Sequence, residues 1–214
     1  MQAYQQLSEP SARLSGEWWR VSDDIAVLNA ICEPHVGIAL WRRSLTPSLR
    51  KWLRRLARSG FEDIRFVCEA EKTRHLLDGY CAGNGAHNGA ACNEFLSDIA
   101  RTAVRFAHLA GCSHVECRIE SIQDDACRKF HRDNVSLRLL STYVGPGTEF
   151  VSVHDADRAL DMQGLFSGKI MRAPTESVAI MRGGKEAGVV HRSPPIEDTE
   201  LNRILFCLDP APPS

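Results

Sequence analysis

The chain has 214 residues, of which 43% are hydrophobic and 25% are charged, and its 26 basic and 27 acidic residues give a formal net charge of −1. These values are ordinary for a single globular domain with a large buried core. They do not indicate a nucleic-acid partner, and no apolar run is long enough to cross a membrane.

The cysteine content bears on the compartment in which the protein works. Eight cysteines are present, and no two of them form a Cys-x-x-Cys pair. The first ten residues lack the basic and apolar blocks of a secretory signal. We therefore expect reduced thiols in a cytoplasmic protein, and a structural zinc cluster is weakly supported at best.

The first half of the chain combines a polar start with short apolar segments and helices. Residues 1–22 are polar and show no clear period, so they are predicted to form an N-terminal tail. Residues 23–209 are predicted to form one domain, in which residues 23–113 are a helical and mixed support. Within this support, strands are predicted over residues 36–41 and 61–68.

Two helices are predicted in the support. Thr46 followed by Pro47 is a typical helix start, and the apolar residues after it recur at helical spacing. The opposite face carries five cations, namely Arg50, Lys51, Arg54, Arg55 and Arg58. A solvated face is the ordinary explanation for such a run, and the alternative is an interaction module for an anionic partner. The second helix is predicted over residues 93–109, with Asn93 as its cap and Gly111 as its end.

From residue 114 onward the pattern changes to extended segments separated by Gly and Pro turns. Residues 114–122 alternate between apolar and polar side chains, and further strands are predicted at residues 135–144, 149–153, 177–181, 187–191 and 203–208. Closely spaced strands without long helices favour an antiparallel sandwich or a jelly-roll barrel. The predicted fold class is therefore α+β, with this β core in residues 114–209 and a short C-terminal tail at residues 210–214.

A candidate metal site lies in this second half. His131 and Asp133 are two positions apart, and on an extended segment such residues project to the same side of the backbone. His191 is the best candidate for a third ligand. Two imidazoles and one carboxylate on one face of an octahedral ion leave the remaining positions open, as in non-haem Fe(II) oxygenases. The sequence therefore predicts a metal site formed by His131, Asp133 and His191.

With these motifs in this order, the chain resembles the Fe(II)/2-oxoglutarate-dependent dioxygenases, particularly their prolyl-hydroxylase-like branch. The resemblance covers roughly residues 114–209 and includes a Gly-Pro-Gly turn followed by Thr148-Glu-Phe150. It implies a double-stranded β-helix (jelly roll) and Fe(II) held by the three predicted ligands. Across its length the chain looks closest to an uncharacterised bacterial family, a domain of unknown function with Phe-His-x-Asp and His-Arg-Ser-Pro-Pro patterns, which we associate with zinc-responsive gene neighbourhoods.

The same resemblance implies how a 2-oxoglutarate co-substrate would bind. Arg203, which follows His191 by 12 positions, corresponds to the cation that pairs with the distal carboxylate of 2-oxoglutarate. Arg138 and Arg192 are alternatives for the same anion. Tyr143, on the strand after the His-x-Asp pair, would hydrogen-bond the same co-substrate.

The function implied by the resemblance is hydroxylation of an unknown substrate with dioxygen and 2-oxoglutarate. The alternative is a non-catalytic protein of bacterial metal homeostasis that holds Zn(II) or iron. Cys127, four residues before His131, is either a core residue or an additional thiol ligand. A thiol ligand would shift the preference of the site toward Zn(II).

Overall fold

The structure, a computed structural model, describes residues 5–6, 18–83, 89–123, 127–185, 188–195 and 202–213. Within these ranges the chain forms two β-sheets and a layer of helices. The strands are β1 (Gln5–Gln6), β2 (Trp19–Ser22), β3 (Ile38–Trp41), β4 (Ile64–Glu69), β5 (His114–Ile122), β6 (Leu137–Val144), β7 (Glu149–Val151), β8 (Ile170–Arg172), β9 (Val178–Arg182), β10 (His191–Arg192) and β11 (Arg203–Ala211). The α-helices are α1 (Pro47–Ser59), α2 (Thr73–Gly83), α3 (Ala90–Ala110) and α4 (Ala156–Met162).

The larger sheet contains strands from both halves of the chain, in the order β2-β3-β9-β6-β11-β5-β4. Its neighbouring strands run antiparallel, except that β2 runs parallel to β3. The smaller sheet has the order β1-β8-β7-β10 among the described residues. Strand β11 is an interior strand of this sheet, where it pairs with β5 on one side and with β6 on the other.

Alternation along the central strands produces a separate core on each face of the larger sheet. In β11, Ile204, Phe206 and Leu208 face the helical layer and pack into the core that includes α1 and α3. Leu205 and Cys207 point the other way, into the core shared with the smaller sheet. Because side chains alternate in a strand, polar residues at odd positions of β11 also point into the space between the two sheets.

Helix α1 begins at the residue predicted from its capping sequence, whereas helix α3 begins elsewhere. Helix α1 begins as predicted, with Oγ1 of Thr46 accepting a hydrogen bond from the Leu49 amide at 3.2 Å. Helix α3 begins earlier than predicted, with Gly89 as its N-cap, and Asn93 lies inside it. The Asn93 side chain instead accepts a hydrogen bond from Arg74. The end of α3 at Gly111 is as predicted, with a left-handed φ of 65°.

The first half of the chain supplies strands as well as support. Strand β2 lies at the end of the segment predicted as a tail, and β4 pairs with β5, so the larger sheet continues across residue 114. Short elements also appear where no periodic pattern predicted them, namely α4 and β8. A helix of seven residues and a strand of three are too short to show a clear hydrophobic period. Among the described residues, no helix is both long and apolar enough to cross a membrane.

Candidate metal centre

The three predicted ligands come together between the two sheets. His131 and His191 lie opposite each other, and each backbone amide donates to the other residue's carbonyl, at 3.0 and 3.1 Å. Nε2 of His191 lies 3.4 Å from Oδ2 of Asp133, and Nε2 of His131 lies 3.9 Å from Oδ1. One ligand atom from each residue therefore lies within 4.8 Å of the others. This spacing suits a single ion bound at the centre of the three side chains.

Backbone carbonyls fix both imidazoles in the orientation that metal binding needs. Nδ1 of His131 lies 2.9 Å from the carbonyl oxygen of Lys129, and Nδ1 of His191 lies 3.1 Å from that of Val189. A carbonyl oxygen only accepts hydrogen bonds, so each Nδ1 carries the proton. In the neutral imidazole Nε2 is then the metal-binding atom, and both Nε2 atoms are directed at Asp133, which is the arrangement found in protein metal sites. The residues present therefore fit a divalent metal ion.

The two histidines differ in their exposure. His191 is buried, with 4% of its surface accessible, whereas His131 is half-buried. Burial lowers the pKa of His191 to about 4, although the neighbouring carboxylate of Asp133 acts in the opposite direction. His191 is consequently neutral at physiological pH and available as a ligand.

Helix α4 and the residue after it hold the His131 segment in place. Gln163 accepts a hydrogen bond from the Phe130 amide at 2.8 Å and donates to the Phe130 carbonyl at 3.0 Å. The Phe130 ring packs against Phe166, and the guanidinium of Arg192 lies 4.4 Å from its centroid. Because His131 is the next residue, these contacts fix the backbone from which its imidazole projects.

A chain of charged groups continues from the candidate ligands along the cavity wall. Arg138 forms an ion pair with Oδ1 of Asp133 and also donates to both carboxylate oxygens of Asp209 at 2.7 Å. Arg118 donates to the same Asp209 carboxylate at 2.8 Å and to the Cys207 sulfur at 2.9 Å. Asp133 is therefore positioned by Arg138, whose guanidinium is itself held by both oxygens of Asp209.

A cavity of about 420 Å³ opens beside this centre. Its lining includes His131, His191, Cys127, Thr148 and Arg138. Cys127 is exposed and has a left-handed φ of 58°, so it is a surface residue of the cavity and not a core residue. A cavity of this volume is large enough for a small co-substrate and part of a second molecule.

Arg203 lies fully buried at the start of β11, with 0% of its surface accessible. Its Nη2 donates to the hydroxyl oxygens of Thr142 at 3.0 Å and Thr148 at 3.2 Å, and its Nε donates to the carbonyl of Pro146. All of these partners are uncharged, and no carboxylate of the described residues forms an ion pair with Arg203. Burial lowers the pKa of Arg203 to about 10, although the carboxylate of Glu120 acts in the opposite direction without forming an ion pair.

The other two candidate cations are engaged with acids. Nε of Arg192 donates to buried Glu149 at 2.7 Å, and Arg172 pairs with the same carboxylate. Arg138 pairs with Asp133 and Asp209, as described above. Among the three arginines considered from sequence, Arg203 is thus distinguished by hydrogen-bond partners that are all uncharged.

Tyr143 does not join this group, which corrects the expectation that it contacts a co-substrate. Its hydroxyl donates to Asp98 of α3 at 2.5 Å, and Arg43 pairs with the same carboxylate. The ring packs edge-on against Phe95 in the core that faces the helices. Residues 142 and 143 point to opposite faces of β6, and it is Thr142 that points toward Arg203.

Sequence reasoning missed several residues that shape the centre, among them Asp209, Glu149 and Gln163. Asp209 shares an odd-numbered face of β11 with Arg203, Leu205 and Cys207, so strand alternation could have placed it between the sheets. Gln163 gave no comparable signal, because its role depends on the short helix α4 lying against Phe130.

The family model for "Protein of unknown function (DUF1826)" matches residues 22–209. The chain belongs to the DUF1826 family. No curated protein matches this DUF1826 chain.

Solved structures show the fold of this DUF1826 chain. It is similar to dioxygenase for auxin oxidation 1 from Arabidopsis thaliana in its complex with 2-oxoglutarate, with 13% identity, a TM-score of 0.50 and coverage of 92% of this chain and 93% of that one. A prolyl-4-hydroxylase from Pseudomonas putida matches with 14% identity, a TM-score of 0.45 and coverage of 86% of this chain and 96% of that one. The first likeness is one of fold, so the two facing sheets of this chain are arranged as in that dioxygenase.

Proposed function

We propose that the protein is an Fe(II)- and 2-oxoglutarate-dependent oxygenase that hydroxylates an unknown substrate. The observation that carries this proposal is that Arg203 is buried with uncharged hydrogen-bond partners only, and that two of these, Thr148 and Ser193, line the same cavity as His131 and His191. Burying an isolated charge costs several kcal/mol unless a partner compensates it. An anionic ligand that enters the cavity would supply the missing countercharge.

Each residue has a definite part in this proposal. His131, Asp133 and His191 hold the metal ion, which supplies the chemistry of dioxygen activation when bound. Arg203 binds the distal carboxylate of 2-oxoglutarate, with the hydroxyls of Thr142 and Thr148 fixing its guanidinium. Oxidative decarboxylation of 2-oxoglutarate to succinate and CO2 accounts for one oxygen atom of O2, and the substrate C–H bond receives the other.

The alternative is a non-catalytic metal-binding protein, including one that serves zinc homeostasis. The observation that favours this alternative is that Cys127 lines the same cavity as His131, since a thiolate prefers Zn(II) to Fe(II). A site of this kind would bind the ion without responding to 2-oxoglutarate.

The test is the weak visible charge-transfer band that forms when 2-oxoglutarate chelates Fe(II) under anaerobic conditions. We expect the band in the wild-type protein, its loss in His131→Ala, and at least tenfold weaker 2-oxoglutarate binding in Arg203→Met. Arg65→Met serves as the control, because it removes an exposed cation that is paired with Glu116 and does not line the cavity.

Three results discriminate between the oxygenase and the non-catalytic metal-binding protein. Equal 2-oxoglutarate affinity in the wild-type protein and Arg203→Met would remove Arg203 from the proposal. A metal-loaded wild-type protein without the band would refute the oxygenase. Tight Zn(II) binding that requires the Cys127 thiol, with no response to 2-oxoglutarate, would favour the metal-binding alternative.

A further inference from the structure

Helix α1 presents a row of cations on the surface of the protein. Four of them lie at positions i, i+3, i+4 and i+7 and are exposed. We call this set the basic stripe, and its members are Lys51, Arg54, Arg55 and Arg58. They line a shallow surface groove that also includes Pro47 and Arg50. The groove lies on the outer side of the helical layer, whereas the candidate metal centre lies between the two sheets.

The charge of the basic stripe is not neutralised by the described residues. Of the five cations of α1, Arg50 alone forms an ion pair with a described residue. Its Nε and Nη2 donate to Glu176 at 2.6 and 2.8 Å. Helix α1 contains no acidic residue at all. Like charges at i, i+4 destabilise a helix by a few tenths of a kcal/mol for each pair, so this arrangement opposes the stability of α1.

The near-zero net charge of the whole chain hides this local excess. Helix α1 carries five of the 26 basic residues, which leaves 21 basic and 27 acidic residues in the rest of the chain. A polyanion would therefore be repelled by most of the protein and attracted to the stripe. The charge distribution both provides a binding surface and fixes the direction of approach.

The chemistry of the stripe narrows the class of polyanion. None of the exposed large hydrophobic residues among the described positions lies on α1. The helix therefore lacks the apolar anchor of a protein interface and the apolar face of a helix that inserts into a membrane. Trp52 is half-buried against Phe95, so the stripe also has no exposed ring for stacking on unpaired bases.

The basic stripe suits the phosphate groups of a nucleic-acid duplex. Guanidinium groups donate bidentately to phosphate oxygens, and three of the four stripe residues are arginines. The stripe spans the eight residues from 51 to 58, whose seven steps of 1.5 Å give about 10 Å of helix. That length covers about three base pairs of backbone at 3.4 Å each. Contacts to phosphates carry no sequence information of their own.

We propose that the basic stripe binds the phosphate backbone of double-stranded nucleic acid independently of sequence. This inference goes beyond the proposed oxygenase function and does not depend on it, because none of the stripe residues belongs to the metal centre. The C-terminal end of α1 is nonetheless close to the cavity rim: a Cβ atom at Gly60 would lie 3.9 Å from Nε2 of Gln123, which lines the cavity.

The experiment measures binding of the full-length protein to a fluorescein-labelled DNA duplex of 20 base pairs and mixed sequence, by fluorescence anisotropy at several salt concentrations. With four phosphate contacts, log K should fall with log salt at a slope of about −3.6, which is about 150-fold between 50 and 200 mM. The double variant Arg54→Gln/Arg55→Gln should halve that slope, giving about a 12-fold loss over the same range. Two duplexes of unrelated sequence should give the same affinity.

The matched control is Lys72→Gln/Arg101→Gln, which removes the same charge elsewhere. These side chains are 63% and 76% exposed, and each is already paired, with Glu69 and Asp98 respectively. We expect this control to keep the wild-type slope. Circular dichroism verifies that both double variants fold.

The proposal is overturned by any of three results. The first is no binding of the duplex at 50 mM salt. The second is an equal change of slope in the stripe variant and the control variant. The third is binding to vesicles that contain anionic phospholipid, or to single-stranded DNA, without binding to the duplex.

Discussion

Asp133 forms an ion pair with Arg138, five positions later in the chain. Arg138 also holds both oxygens of Asp209, so its guanidinium is fixed and restrains the Asp133 carboxylate. Oδ1 of Asp133 is engaged by this cation, while Oδ2 lies 3.4 Å from Nε2 of His191. The pair thus orients one oxygen of the carboxylate toward the position that a metal ion would occupy.

Replacing Arg138 by Met should weaken binding of Co(II), used as a spectroscopic substitute for Fe(II), by about 10- to 100-fold. The reason is that Asp133 loses the group that orients its carboxylate. Isothermal titration of the metal-free protein measures the change. The control is Arg158→Met, which removes a half-exposed cation paired with Asp155. Equal Co(II) affinities in the two variants would contradict a positioning role for Arg138.

The buried His191 should make the metal-free protein sensitive to acid. Burial lowers its pKa from 6.5 to about 4 in the folded state, so the unfolded state takes up a proton first as the pH falls. Stability contributed by neutral His191 is fully present above about pH 6.5 and is lost as the pH falls from 6.5 to 4. The expected loss is roughly 3 kcal/mol.

Urea unfolding of the metal-free protein at pH 7 and pH 4 checks this prediction against His191→Gln, which cannot titrate. We expect the wild-type protein to lose more of its free energy of unfolding between the two pH values than the variant does. His131→Gln, at the half-buried ligand, controls for a general effect of losing an imidazole. A pH dependence that is unchanged in His191→Gln would show that another group is responsible.

Arg203 and Arg192 should respond oppositely to the same substitution. Arg203→Met removes a buried charge with uncharged partners, so the free energy of unfolding should fall by less than about 1 kcal/mol or should rise. Arg192→Met removes one of the partners of buried Glu149 and should cost about 3 kcal/mol. Urea unfolding at pH 7 without ligand measures both. A loss in Arg203→Met as large as that in Arg192→Met would contradict an uncompensated charge at Arg203.

Tyr143→Phe should affect stability without affecting co-substrate binding. The variant removes the hydrogen bond to Asp98 in the core, which should cost about 1 to 3 kcal/mol. Because the side chain lies on the helix-facing side of β6, 2-oxoglutarate should bind the iron-loaded variant with wild-type affinity. Thermal unfolding and the charge-transfer titration measure the two effects. Weaker 2-oxoglutarate binding in this variant would restore Tyr143 to the co-substrate site.

Local sequence patterns predicted the elements that carry strong local signals. Helix α1 was predictable because Thr46 and Pro47 favour a helix start, and β5 because its polar and apolar residues alternate. The start of α3 was misplaced because Asn93 is a good cap in isolation. In the folded chain the helix begins at Gly89, and Asn93 bonds to Arg74 of α2 instead.

The candidate metal site shows the same division between local and long-range information. His131 and Asp133 were recognisable from their spacing, and His191 from the order of motifs in a known family. Which side of the sheet Tyr143 faces depends on the position of β6 between β9 and β11. The partner of Arg138 is Asp209, which lies 71 positions away in the chain. Neither relationship can be predicted from the residues next to Tyr143 or Arg138 in the sequence.

Side-chain period, capping chemistry and motif spacing are local properties, and they were enough to predict the β-rich second half, the main helices and the three candidate ligands. Which of the three cations lacks an ion-pair partner among the described residues depended on the folded arrangement. Arg138, Arg192 and Arg203 are the same residue type, and what separates them is the set of groups that folding brings to each guanidinium. Burial and pairing are properties of that long-range arrangement, so they appear only when β6, β7, β10 and β11 surround the cavity.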